Sequence, residues 1–165
     1  MNIFSLFFKP KPRFSLPDFL IGIVSEIILN HWIDERGKSL RKRDLKNKKC
    51  FASSYSRMDY KNKIYEAILK TGLFDPYTGD KIDYSLICKW NSKLAEEGKL
   101  EYKKLFAMLP SVDHKDPDAT VLEFEICTWK TNECKSNFNP EEFIAFCSKV
   151  LSNNIFTKNN NTIKN

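Results

Sequence analysis

The sequence lacks the cysteine patterns that mark two common classes of small protein. Its five cysteines include no Cys-x-x-Cys pair, which argues against a zinc knuckle. An odd number of cysteines argues against a closed disulfide framework of the kind found in secreted domains. We therefore expect reduced thiols, a cytoplasmic location and no zinc.

The chain also lacks an uninterrupted hydrophobic run long enough to cross a membrane. Residues 19–24 are apolar, but polar and charged residues interrupt the surrounding segment on both sides. Residues 17–34 are predicted to form an amphipathic helix, opened by Pro17 and closed near Gly37, that serves the core or an interface with a second copy or another protein. Residues 1–11 have neither a basic start nor a cleavage-site pattern, so we do not expect a secretion signal there.

The composition is that of a folded, moderately basic domain. Of 165 residues 42% are hydrophobic, and the formal net charge of +6 favours a polyanionic partner only if the basic residues cluster. They do cluster, in a run that contains a single acid, Asp44, and can form a phosphate-contacting surface or a solvated face. Its eight basic residues are Arg36, Lys38, Arg41, Lys42, Arg43, Lys46, Lys48 and Lys49.

Periodicity and turn residues divide the chain into elements. Helices are predicted over 59–71 and 93–108, with a tight turn at 74–82 between them and a strand-like run at 84–88. Strands are predicted over 111–114 and 121–128, followed by a short helix over 129–137. Asn139-Pro140 opens another helix, and residues 152–165 are predicted to be a disordered tail. The expected class is α+β, with a mostly helical N-terminal region over 1–72 and a second module over 73–151.

Four polar residues of that module suit phosphodiester hydrolysis. Asp113 and His114 end the first strand, and Asn132 and Lys135 share one face of the short helix. Carboxylate and amide oxygens are ligands that Mg²⁺ or Mn²⁺ accepts, so Asp113 and Asn132 are the predicted metal ligands. A neutral histidine is a suitable general base for water, and Lys135 can hold a neighbouring phosphate.

At these residues the sequence resembles the HNH (His-Me finger) nucleases. Residues 109–114, Leu-Pro-Ser-Val-Asp-His, are similar to the strand of that family that ends in Asp-His. Residues 131–137, Thr-Asn-Glu-Cys-Lys-Ser-Asn, resemble its Asn-x-x-Lys helix, and residues 75–79 resemble a Tyr-Thr-Gly hairpin that precedes it. The resemblance implies a ββα-metal finger of the zinc-free type, which cuts DNA with His114 as general base and Asp113 and Asn132 holding one metal ion.

Glu123 departs from the family pattern, in which an asparagine at this position helps to place the histidine. A glutamate there can accept a hydrogen bond from the His114 ring and orient it, or it can mark a non-catalytic module that only binds nucleic acid. Three hypotheses follow: a DNA endonuclease, a nucleic-acid-binding module on a degenerate finger, and an interaction protein that uses residues 17–34.

Overall fold

The computed structural model describes residues 13–118 and 120–162, apart from the side chains of Lys99 and of residues 155–162. Residues 1–11, where no secretion signal was expected, lie outside this part. Within the described residues, five α-helices and one two-stranded sheet make an α+β fold that is mostly helical, as predicted. In chain order they are α1 (Glu26–Lys46), α2 (Arg57–Thr71), α3 (Ser92–Leu105), β1 (Pro110–His114), β2 (Phe124–Thr128), α4 (Trp129–Lys135) and α5 (Pro140–Thr162).

The helix predicted over 17–34 has different bounds. Residues 18–20 form a 3₁₀ turn, and Gly22, with φ of +80°, breaks the chain before the helix proper. The Ser25 hydroxyl then accepts a hydrogen bond from the amide of Ile28 and caps α1, which runs on to Lys46. The basic run is therefore mostly the second half of a helix and not a segment that follows one.

Gly37 lies inside α1 and does not end it. A Cβ atom at this position would stand 3.1 Å from Cγ of Lys61 on α2, so the glycine lets the two helices approach closely. Leu29, Ile33 and Leu40 of α1 are buried at this crossing. Close approach, and not helix termination, explains the glycine.

Helix α2 lies between α1 and the sheet. It begins with a capping box, in which the side chains of Ser56 and Asp59 bond each other's backbone amide. Tyr60, Ile64 and Ile68 are fully buried and belong to the same core cluster as residues of β2. A two-stranded sheet is marginally stable alone, so this packing is what holds it.

The two strands pair antiparallel, with His114 opposite Phe124 and Asp113 opposite Glu125. β1 begins one residue earlier than predicted, and β2 is shorter at its start, because residues 121–123 lie before the paired region. The hairpin at 74–82 is present as a bridge between Phe74 and Lys81. The run at 84–88 is not a strand, since residues 84–86 form a 3₁₀ turn capped by the Asp83 side chain.

The start of α5 is as predicted, since Asn139 and Glu142 form reciprocal side-chain to backbone bonds. The helix continues to Thr162, so most of the stretch predicted as a disordered tail is helical, and residues 163–165 lie outside the described part. Side-chain bonds to carbonyls four residues earlier accompany this extension, from Ser152 and Asn154. Among the described residues, no helix combines the length and the apolar character needed to cross a bilayer.

Candidate functional site

A pocket of about 340 Å³ lies where α1, the end of β1 and α4 meet. All four polar residues singled out in the second module line it: Asp113, His114, Asn132 and Lys135. Asp113 and His114 are neighbours in a strand, yet both reach the pocket because His114 is the last residue of β1. Pro117, in the turn that follows β1, also lines the pocket.

His114 is held by α1 and by aromatic rings. Its side chain is buried, and Nε2 lies 2.9 Å from Oδ2 of Asp44. Nδ1 lies 3.3 Å from Nη2 of Arg43, the preceding residue of the same helix. The rings of Phe51 and Phe124 pack against the imidazole. These contacts leave the ring little freedom to rotate.

Asp44 is a site residue that the sequence interpretation missed. It is 1% exposed and, besides His114, its Oδ2 accepts a hydrogen bond from the Tyr60 hydroxyl at 3.0 Å. A signal was present, because Asp44 continues the spacing of the buried positions of α1 at 29, 33, 37 and 40. An acid in an apolar register predicts a buried, partnered carboxylate.

Glu123 does not orient the His114 ring in the structure. Its carboxylate lies 3.2 Å from Nζ of Lys115 and is about half exposed, while both ring nitrogens of His114 face α1. The prediction that Glu123 accepts a hydrogen bond from this ring is therefore corrected: Asp44 takes that place. The physical reason is that residue 123 lies one position outside the ladder, just before Phe124, which pairs with His114.

Lys135 is placed for a structural role and not for holding a phosphate. Its side chain is 1% exposed, and Nζ lies 2.9 Å from Oδ2 of Asp113 and 3.4 Å from the His114 carbonyl oxygen. An ammonium group buried to this degree cannot meet a substrate in solution without leaving its partners. It neutralises Asp113 and fixes the end of β1.

A second carboxylate lies beside Lys135. Oε1 of Glu125 is 4.0 Å from Nζ of Lys135 and accepts a hydrogen bond from the Tyr77 hydroxyl. Burial raises the pKa of the Glu125 carboxyl, and the Tyr77 hydrogen bond and the charge of Lys135 offset this only in part. Lys135 is thus the cation of a buried network that contains two carboxylates.

Asp113 and Asn132 share the pocket as possible metal ligands. The Asn132 amide nitrogen donates to the Ser111 hydroxyl at 2.6 Å, which fixes this side chain against β1. Among residues 13–118 and 120–162, no three His, Cys, Asp or Glu side chains are grouped as a metal site. Asp44 also lines the pocket, and its Oδ1 atom is buried without a hydrogen-bond partner. A carboxylate and an amide oxygen are hard donors of the type that Mg²⁺ takes.

The basic run is divided between the two sides of α1. Arg36 and Arg43 line a groove against β1 and α4 that shares Arg43 and Asn132 with the pocket, so the two cavities are adjacent. Lys49 lines the pocket and donates to the Pro117 carbonyl, and Arg41 donates to the Tyr55 carbonyl at 3.0 Å. The remaining four are exposed, and they are Lys38, Lys42, Lys46 and Lys48.

Comparison of the chain with protein-family models, with curated proteins and with solved structures gives no match.

Proposed function

We propose that this chain is a metal-dependent endonuclease of the HNH type that hydrolyses phosphodiester bonds in DNA. The observation that carries the proposal is that Asp113, His114 and Asn132, chosen from their types and spacing, line one pocket. A random set of three polar residues taken from two separate elements would not be expected to meet. The groove beside it adds two arginines, which suit the backbone of a polyanion.

In this proposal His114 is the general base that takes a proton from the attacking water. Asp113 and Asn132 would hold one Mg²⁺ or Mn²⁺ ion, which when bound stabilises charge on the scissile phosphate and the leaving oxygen. Lys135 keeps the Asp113 carboxylate in place at the end of β1. Arg43, half exposed beside the His114 ring, lines the pocket and would meet a phosphate bound there.

The test is cleavage of supercoiled plasmid by the purified protein. We expect nicked and then linear DNA with Mg²⁺ or Mn²⁺ and intact plasmid when EDTA removes the metal. The products should carry a 5′-phosphate, which a ligation assay detects. Intact plasmid with either metal, over a range of protein concentration, would contradict the endonuclease proposal.

A second candidate function is a nucleic-acid-binding module without catalysis. The observation that favours it is the ion pair between Lys135 and Asp113, because a cation already lies on the carboxylate expected to bind the metal. Binding to DNA that weakens steeply with salt, together with no metal-stimulated cleavage, would select this candidate.

Both candidates predict that the groove side of α1 binds DNA. Arg36→Glu is expected to weaken binding and to lower the slope of log affinity against log salt by about one, since one phosphate contact is lost. The matched control is Lys38→Glu, which lies about 200° around the same helix and is exposed away from the groove. Fluorescence anisotropy over a salt series measures both. Equal losses in the two variants would argue against an oriented groove.

A protein partner or a second copy bound through residues 17–34 stays a secondary proposal. Leu20, Leu29 and Ile33 of this segment face the chain's own core, so only Ile21, Ile27 and Ile28 remain exposed for such a contact. A cytoplasmic location is also part of the proposal, because all five cysteines are free thiols in the structure.

A further inference from the structure

We infer that Asp44 is the positioning residue for His114, fixing the ring with its proton on Nε2 and leaving Nδ1 as the proton acceptor in the pocket. This inference rests on the proposed function for its role in catalysis. The contact between Asp44 and His114 does not depend on the proposed function, because it is part of the folded chain.

The two neighbours of the ring specify one tautomer. A carboxylate can only accept a hydrogen bond, so at 2.9 Å from Asp44 the Nε2 atom must carry a proton. A guanidinium can only donate, so at 3.3 Å from Arg43 the Nδ1 atom must present its lone pair. The neutral form with the proton on Nε2 satisfies both contacts, and the other neutral form satisfies neither.

The surroundings of Asp44 hold it in this place. Tyr60, itself fully buried, donates to the same Oδ2 atom at 3.0 Å and so fixes the carboxylate from α2. Oδ1 is buried without a hydrogen-bond partner, and the Arg43 Nε atom is 4.0 Å away from it. A buried carboxylate with an unpaired oxygen is costly to stability. Folding alone would be better served by an apolar residue at this position of the α1 stripe.

In the proposed hydrolysis the carboxylate has a second effect. Nδ1 takes a proton from water, and the ring becomes an imidazolium with a proton on each nitrogen. The hydroxide forms a bond to phosphorus while the bond from phosphorus to the 3′-oxygen breaks. The leaving 3′-oxygen gains a proton from solvent, and the imidazolium returns its extra proton to solvent. The negative charge of Asp44 beside Nε2 stabilises that cation. Arg43 would have to leave Nδ1 for water to reach it, and its half-exposed side chain can do so by turning towards a bound phosphate.

The direct test is nitrogen-15 NMR of the histidine rings in the wild-type protein. The chain has two histidines, and His31 is exposed, so it is an internal reference. We expect the His114 ring proton on Nε2 to exchange slowly with water and that of His31 to exchange fast. A His114 proton on Nδ1, or a ring proton that exchanges as fast as that of His31, would overturn the inference.

The catalytic test is Asp44→Asn in the full chain, which keeps the shape and an accepting oxygen but removes the charge. We expect kcat for plasmid cleavage to fall by about 10- to 100-fold with KM nearly unchanged, because Asp44 is 1% exposed and would act through the His114 ring. Asp34→Asn is the matched control, being the same chemical change on the same helix with its partners on α2. Cleavage by Asp44→Asn at the wild-type rate would overturn the inference.

The outcomes separate this inference from the proposed function. An active wild-type protein with the ring proton on Nδ1 contradicts the role of Asp44 and leaves the nuclease proposal intact. An inactive wild-type protein with a protected proton on Nε2 contradicts the nuclease and supports Asp44 as the residue that fixes the ring. Should Asp44→Asn not fold, the wild-type spectrum decides.

Discussion

His114→Ala is expected to slow metal-dependent cleavage by about 10²- to 10⁴-fold, the range over which a positioned general base contributes. DNA binding should stay close to that of the wild type. The reason is that the ring is buried beside Arg43 and offers a phosphate no charge, whereas the proposed DNA contact relies on the groove arginines Arg36 and Arg43. The variant should therefore lose kcat and keep KM.

Single-turnover cleavage at saturating protein measures this loss, with anisotropy for binding on the same preparations. His31→Ala is the matched control, because it removes the other histidine from an exposed position on α1. Purifying both variants in parallel also guards against a contaminating nuclease, which would cleave DNA in every preparation. Equal rates for wild type and His114→Ala would show that this residue is not the base.

Lys135→Met is expected to destabilise the fold by about 3–5 kcal/mol, the usual effect of removing one partner of a buried ion pair. Methionine fills much of the same space but leaves Asp113 without its cation and takes away the charge nearest to Glu125. Urea unfolding at pH 7 measures the change in the free energy of unfolding. A lysine that served only to hold a phosphate would give no such loss.

Two comparisons make the result specific. Lys130→Met removes a lysine from the same helix whose partner, Asp80, is at the surface, so it should change stability little. Adding Asp113→Asn to Lys135→Met should recover part of the loss, because no uncompensated charge then remains at Asp113. Losses that are simply additive would argue that the two side chains are not coupled.

Local sequence signals were sufficient to predict most helices and strands in the second half of the chain. Alternating residues predicted both strands, and Asn139 with Pro140 predicted the start of α5. The N-terminal half was harder, because its first two glycines act in opposite ways. Gly22 breaks the chain through a positive φ, whereas Gly37 lies inside α1 to admit α2, and only the tertiary packing distinguishes them.

In the candidate site, too, local spacing predicted some of the residues, and the others depend on tertiary packing. Spacing along the chain was enough to predict that Asp113, His114 and Asn132 lie together, and all three line one pocket. It could not show that Lys135 points into the protein, because burial of a helix face depends on what covers it. Nor could it show that the partner of His114 comes from 70 residues earlier in the chain. The residue expected to fill that role, Glu123, is close in sequence but faces Lys115.

Because α1 lines the pocket, the segment from β1 to α4 does not form the candidate site by itself. β1 and α4 carry Asp113, His114 and Asn132, but α1 supplies Asp44 and Arg43. Helix α2 packs with Phe124 and Ile126 of β2 in the core. A fragment that begins at residue 73 would keep the sequence motif. It would lose Asp44 and Arg43, which contact His114, and helix α2, which packs on β2. For this chain the unit that could be grafted into another protein begins at α1, not at the motif.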